Sequence, residues 1–311
     1  MRIVFMGTPE FAVPTLRALA ERHQVVLVVT QPDRPRDRGQ RVKPSPVKEV
    51  AQELDIPVAQ PERVATPEFV DQLKALDPDA IVVVAFGQKI PDEILQLGRY
   101  GCINVHGSLL PKYRGAAPIQ WAILEGEKTT GVTIMQMDSG WDTGDVLYQR
   151  EVFLAKDETG GSLHDKLAQL GAEALLEALD ALVQGQITPQ PQDDSQATLA
   201  PKLTKELGRI QWEKPAENLE RLVRAMNPWP LAYCTHRGMS LRVWRAVAEA
   251  AEHEALPGTV LRVDPERGIG VACGEGILYL TAVQAPARKI LTARDYINGY
   301  GITPGEVLGD G

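Results

Sequence analysis

Residues 25–30 read VVLVVT, five apolar residues in succession, four of them β-branched. A strand with one wet face would alternate. A run that does not alternate must be covered on both faces, as in a parallel sheet. Reading outward, runs of the same kind recur as RIVFMG (2–7), DAIVVVAFG (79–87) and GCINVH (101–106). Helix signals separate them. Thr8 is placed to cap a helix, with Pro9 first and Glu10 in the first turn, and Phe11, Leu16 and Leu19 fit its buried face. Ser45-Pro46 and Thr66-Pro67 repeat that start. Leucines at 163, 167, 170, 175, 179 and 182 form a helical stripe that Gly185 is placed to end. The alternation predicts an open, parallel-rich, Rossmann-like α/β sheet over residues 1–185, with helices on both faces.

Residues 186–208, QITPQPQDDSQATLAPKLTKELG, hold three prolines, many polar residues and few large apolar ones. They read as a linker. Beyond it, 209–311 opens with one helix at about 216–226. Short strand candidates follow: AYCTH, SLRVWRAV, GTVLRV, GIGVAC and GILYLTAV. So many short strands in one small region predict a small barrel or sandwich.

The chain has 311 residues and a net charge of −8, which argues against a general nucleic-acid coat. The charge is unevenly spread. Residues 209–311 balance 12 Lys/Arg against 12 Asp/Glu, so the first 208 carry all of the excess. Residues 31–48 run the other way, with Arg34, Arg36, Arg38, Arg41, Lys43 and Lys48 against Asp33 and Asp37. No apolar run is long enough to span a bilayer, and the start is too brief for a signal peptide. A cytoplasmic protein is expected, with no membrane association. Cys102, Cys234 and Cys273 stand far apart and form no CxxC pair, so each is expected to be a small core residue and not part of a disulfide or zinc site.

Within INVHGSLLPKYRG (103–115), Asn104 and His106 break an apolar strand. Residues two apart on a strand share a face. An amide and an imidazole would therefore stand side by side at a strand's carboxyl end, where open α/β sheets bind ligands. Such a pair can donate to an oxyanion and move a proton during acyl transfer. Equally, it could serve the local turn. The second stretch is MDSGWDTGDVL (137–147), a glycine-rich loop with Asp138, Asp142 and Asp145. A calcium loop would need a Glu where Gln149 stands. A carboxylate here can orient an imidazole, or the three can simply keep a loop wet. The first strand-to-helix turn, MGTPEFA, lacks GxGxxG, and GxxxxGK[ST] and GxSxG are absent. Dehydrogenase, NTPase and common hydrolase chemistries are therefore disfavoured.

INVHGSLLPKYRGAAPIQWAIL and TGVTIMQMDSGWDTGDVL together resemble the formyltransferases that use 10-formyltetrahydrofolate. The resemblance implies that Asn104, His106 and Asp142 are the catalytic set, and that Ser108, Leu109, Leu110 and Pro111 contact the folate. Asn104 and His106 would donate to an oxyanion while Asp142 keeps the imidazole charged and oriented. No metal is expected. MGTPEFAVPTL and TQPDRPRDRGQRVKPSPVK are similar to the branch of the family that formylates methionyl initiator tRNA. The glycinamide-ribonucleotide branch lacks the basic insertion and the C-terminal barrel. In this branch Arg34, Arg36, Arg38, Arg41 and Lys43 are expected to contact tRNA, with Arg38 matching the main contact. Read from its residues alone, such a charge run is usually a solvated loop. The C-terminal barrel is expected to be oligonucleotide-binding (OB)-like and to add to tRNA binding, and the protein is expected to be a monomer. The competing acceptor is an amino sugar nucleotide, which has no need of a basic insertion.

Overall fold

The computed structural model describes residues 1–36 and 41–309, and the side chains of 35, 36, 41 and 42 lie outside that description. Two compact units form, one of Met1–Pro118, Thr129–Phe153 and His164–Ala200, the other of Ile119–Lys128, Leu154–Leu163 and Pro201–Gly311.

In the first unit the chain runs β1 (Arg2–Gly7), α1 (Val13–Arg22), β2 (Gln24–Val29), β3 (Arg34–Arg36), β4 (Arg41–Lys43), α2 (Pro46–Glu53), β5 (Val58–Ala59), α3 (Pro67–Ala75), β6 (Ala80–Val84), α4 (Asp92–Leu95), β7 (Cys102–His106), β8 (Arg114–Gly115), α5 (Pro118–Leu124), β9 (Thr129–Gln136), β10 (Val146–Phe153), α6 (Gly160–Val183) and β11 (Leu199–Ala200). Residues 119–124 of α5 and 160–163 of α6 belong to the second unit. Seven strands make one sheet in the order β10-β9-β7-β6-β1-β2-β5. β7, β6, β1, β2 and β5 pair in parallel, while β9 adds antiparallel to β7 and β10 antiparallel to β9.

Both faces are buried, as the unbroken apolar runs require. Val4 and Met6 pack with Phe69, Val70 and Leu73 of α3 on one face. Ile3 and Phe5 point the other way and are equally inaccessible. Gly171 lets α6 press onto the sheet, since a Cβ there would sit 2.8 Å from Val105 Cγ1.

Two of the three cap-then-proline starts form as expected. Ser45 Oγ accepts from Lys48 N at 3.1 Å and Thr66 Oγ1 from Phe69 N at 3.4 Å. Thr8 does not cap. Glu10–Ala12 is a 3₁₀ turn, and α1 begins at Val13. The Thr8 hydroxyl instead donates to Phe86 O and accepts from Gln31 N, tying together the loops that follow β1, β2 and β6.

The second unit carries α7 (Ala216–Ala225), β12 (Ala232–His236), β13 (Met239–Glu249), β14 (Val260–Asp264), β15 (Gly268–Ala272), β16 (Ile277–Gln284), β17 (Leu291–Thr292) and α8 (Ala293–Tyr300). Its antiparallel sheet runs β12-β13-β16-β15-β14, with β17 on β16. The final segment bonds to both edges. Val260 N donates to Glu306 O beside β14, and Gly309 N donates to Thr235 O of β12. That link gives the sheet its barrel-like closure. Leu219 and Val223 of α7 fill the core with Leu241, Val271, Leu280 and Tyr296.

The three cysteines are free and buried. Burial pushes the thiols of Cys102 and Cys234 up to about 12 and that of Cys273 to about 11. They are therefore unreactive packing residues. No described helix is long and apolar enough to cross a membrane.

Candidate active site

β7 lies between parallel β6 and antiparallel β9, in register with Val83 and Met135 at Asn104 and with Thr133 at His106. Asn104 Nδ2 donates to Val83 O at 3.0 Å. A carbonyl can only accept, so this bond fixes the amide's orientation. Its other end, Oδ1, is buried and has no partner among the described residues.

His106 is 7% exposed. Its Nε2 lies 2.9 Å from Tyr113 O, so Nε2 carries the hydrogen and donates. In the neutral ring that leaves Nδ1 without a hydrogen. Nδ1 faces Asp142 Oδ2 at 3.7 Å. The same carboxylate oxygen accepts from Gly115 N at 2.9 Å.

The glycine-rich loop contains three carboxylates, and the structure gives only one of them to the imidazole. Asp138 is a turn residue that accepts from Gly140 N and from the Thr143 hydroxyl. The Asp145 carbonyl accepts from Gln136 N. Gly144 is required by a close approach: a Cβ would fall 1.7 Å from Gln136 O. Asp142 itself has φ +55°, in the left-handed region that non-glycine residues avoid.

The stretch 108–111 divides by exposure. Ser108 is wholly buried, and its hydroxyl donates to Lys112 O at 2.6 Å. Leu110 is buried, and Leu110–Pro111 is a cis peptide. Thr133 Oγ1 organises this turn, accepting from Leu110 N and from Gln149 Nε2 and donating to Ser108 O. Leu109 and Pro111 are half-buried and offer surface to a ligand.

A cleft of about 610 Å³ lies beyond the carboxyl ends of β1, β2 and β6, lined by Thr8, Gln31, Arg34, Ala85, Phe86 and Gln88 among others. β6 sits beside β1 on one side while β2 sits on the other, so the strand order reverses there.

The basic stretch is a short hairpin, β3 against β4, with Arg34 opposite Lys43 and Arg36 opposite Arg41. Arg34 and Lys43 are exposed. Arg38 and Gly39 lie outside the described residues, as do the side chains of Arg36 and Arg41. Lys48 is not part of the exposed positive surface, because it pairs with Asp33 at 2.5 Å.

Two residues that the sequence reading passed over join the site. Gln192 Nε2 donates to the main-chain carbonyls of Asp142 and Gly144 at 2.9 and 2.7 Å. Arg114, 9% exposed, holds the Gln192 Oε1. Residues 190–200, read above as linker, are hydrogen-bonded within the first unit. Their polar, proline-bearing composition suits a strap that uses main-chain and amide bonds and buries little apolar surface. No local pattern could have disclosed those partners.

Two family models match the chain: Formyl transferase over residues 1–179, and Formyl transferase, C-terminal domain, over 202–301. A methionyl-tRNA formyltransferase of Acetivibrio thermocellus is 49% identical, covering 99% of this chain and 100% of that protein. Among solved structures, HypX from Aquifex aeolicus in complex with tetrahydrofolic acid superposes with a TM-score of 0.61 at 21% identity, over 98% of this chain and 48% of that one. The N-formyltransferase from Helicobacter canadensis in complex with folinic acid and dTDP-3-aminofucose gives 0.66 at 18% identity, over 91% and 98%. These two likenesses concern the fold.

Proposed function

The chain belongs to the formyl transferase family, and from that premise we propose that it moves the formyl group of 10-formyltetrahydrofolate to the α-amino group of methionyl initiator tRNA. The product, N-formylmethionyl-tRNA, serves translation initiation. The carrying observation is the convergence of Asn104, His106 and Asp142 at the carboxyl end of β7, in a chain about half identical to methionyl-tRNA formyltransferases along its length.

The residues present fit the folate donor. The buried Oδ1 of Asn104, without a partner among the described residues, calls for an N–H, which an attacking amine brings. Leu109 and Pro111 offer the folate surface, and Ser108 and Leu110 fix the turn's shape. When bound, the donor supplies an activated formyl amide. Asn104 gives one N–H to Val83 and keeps the second for the oxygen on which negative charge grows. His106, anchored through Nε2, exchanges a proton at Nδ1. Asp142 holds the imidazole's positive charge and its orientation.

The tRNA is a polyanion, and a net-negative enzyme must meet it with local positive surface. Arg34, which lines the cleft, and exposed Lys43 support such a surface in the first unit, and Arg36, Arg38 and Arg41 belong to the same basic stretch of sequence. In the second unit, exposed Arg242 and Arg245 on β13 support a role in tRNA binding. The reading carries with it a cytoplasmic, monomeric enzyme, as expected from the sequence.

The test offers labelled 10-formyltetrahydrofolate with methionyl initiator tRNA and with an amino sugar nucleotide in parallel. Acid-stable label on the tRNA alone supports the proposal. Label on the sugar nucleotide alone overturns it.

A further inference from the structure

We propose that the strap of residues 190–200 sets the catalytic geometry, with Gln192 as a positioning residue that acts on His106 through Asp142. The proposal rests on the formyl-transfer reading above for its consequence in turnover, but not for its geometry.

Asp142 needs holding. Its backbone is left-handed, a conformation that non-glycine residues rarely adopt unless the surroundings hold it. Its loop has little apolar anchorage: Gly140 is exposed and Trp141 is 70% exposed. Beside the Gly115 N–Asp142 bond, one side-chain amide from the strap holds the loop's main chain. The two hydrogens of Gln192 Nε2 serve two carbonyls, those of Asp142 and Gly144.

The amide cannot flip. Its Oε1 faces Arg114 Nε and Nη2 at 3.1 and 2.8 Å, and a guanidinium has no acceptor to offer. Arg114 is itself held by Asp194 at 2.7 Å. Upstream, Gln190 and Val146 exchange a pair of main-chain bonds where the loop enters β10.

Downstream, the same strap reaches the other side of the imidazole. Thr198 Oγ1 accepts from Tyr113 N at 2.9 Å, and Thr198 O accepts from Arg114 N at 2.9 Å. The Tyr113 carbonyl is the acceptor for His106 Nε2. One segment therefore fixes the partner of each ring nitrogen: Tyr113 for Nε2 and Asp142 for Nδ1.

The experiment uses the full chain with Gln192→Ala. Gln192→Glu is the second variant, since it keeps the acceptor for Arg114 and loses the donor to the loop. Turnover should fall about tenfold, less than the hundredfold that a full ångström of misplacement can cost. KM for both substrates should stay within about twofold, because the loss is confined to the transition state. In an Asp142→Asn background, Gln192→Ala should cost less than about twofold, as for residues acting in series. Amides of residues 140–145 should exchange hydrogen faster in both Gln192 variants. An equal loss of turnover in both backgrounds, or a raised KM at constant turnover, overturns the proposal. So does unchanged exchange at 140–145. If the unmodified chain formylates no acceptor while exchange still quickens in the variants, the functional reading fails and the strap's role stands.

Discussion

Replacing Asp142 by Asn isolates the charge that the site places beside His106. The amide oxygen can still accept from Gly115 N, so the loop's anchor at 2.9 Å survives. The negative charge 3.7 Å from His106 Nδ1 does not. Two unit charges about 4 Å apart interact by roughly 4 kcal/mol at an effective dielectric of about 20. The Asp142 side chain is 17% exposed, so solvent takes part of that. A loss of about 2–3 kcal/mol of transition-state stabilisation corresponds to roughly 30- to 150-fold in rate. The assay is single-turnover formyl transfer with both substrates saturating, which excludes binding and product release. A rate within about threefold of the unmodified chain would refute a charge role for Asp142.

Asn104→Ala removes the donor proposed for the developing oxyanion and should lower turnover about 10²- to 10³-fold, with tetrahydrofolate affinity, read by calorimetry, little changed. Replacing Arg38, Arg41 and Lys43 together by Ala should weaken tRNA binding and flatten its log–log salt dependence by roughly 0.7 to 0.9 per lost phosphate contact. Folate affinity should be unaffected, and a uniform share from each residue would make the hairpin an electrostatic guide only. Glu306 predicts acid lability of the second unit. Its bonds to Arg237 first, and to His236 and Thr303, hold its carboxyl at about 2 against an ordinary 4.5. A depressed value stabilises above 4.5 and is lost as pH falls from there toward 2. Glu306→Gln should therefore cost about 1–2 kcal/mol at pH 7, allowing for solvent at a carboxylate 21% exposed. Urea midpoints should show that gap narrowing below pH 4.5 and closing toward pH 2.

Much of the fold was legible because its cause is local. VVLVVT and DAIVVVAFG can be buried only inside a two-sided sheet, and Ser45 and Thr66 cap the helices that follow them. All five strand candidates in the C-terminal region form. Thr8 failed as a cap because its hydroxyl had partners in two distant loops, at Phe86 and Gln31. At the site, the i, i+2 spacing of Asn104 and His106 disclosed a shared face. Choosing Asp142 over Asp138 and Asp145 rested on family resemblance, since only the loop's path separates the three. Arg114 and Gln192 lie 78 residues apart, and a polar strap leaves no periodic mark by which to pair them. The short α8 after β17 also escaped notice.

The central claim is that His106, at the end of β7, moves the proton when a formyl group passes to methionyl initiator tRNA. The most direct measurement compares the unmodified chain with His106→Ala, following label from 10-formyltetrahydrofolate onto methionyl initiator tRNA. The account predicts efficient transfer by the unmodified chain, a loss of about 10²- to 10⁴-fold in the variant, and nearly equal folate affinity in both. Near-normal transfer by His106→Ala would contradict it.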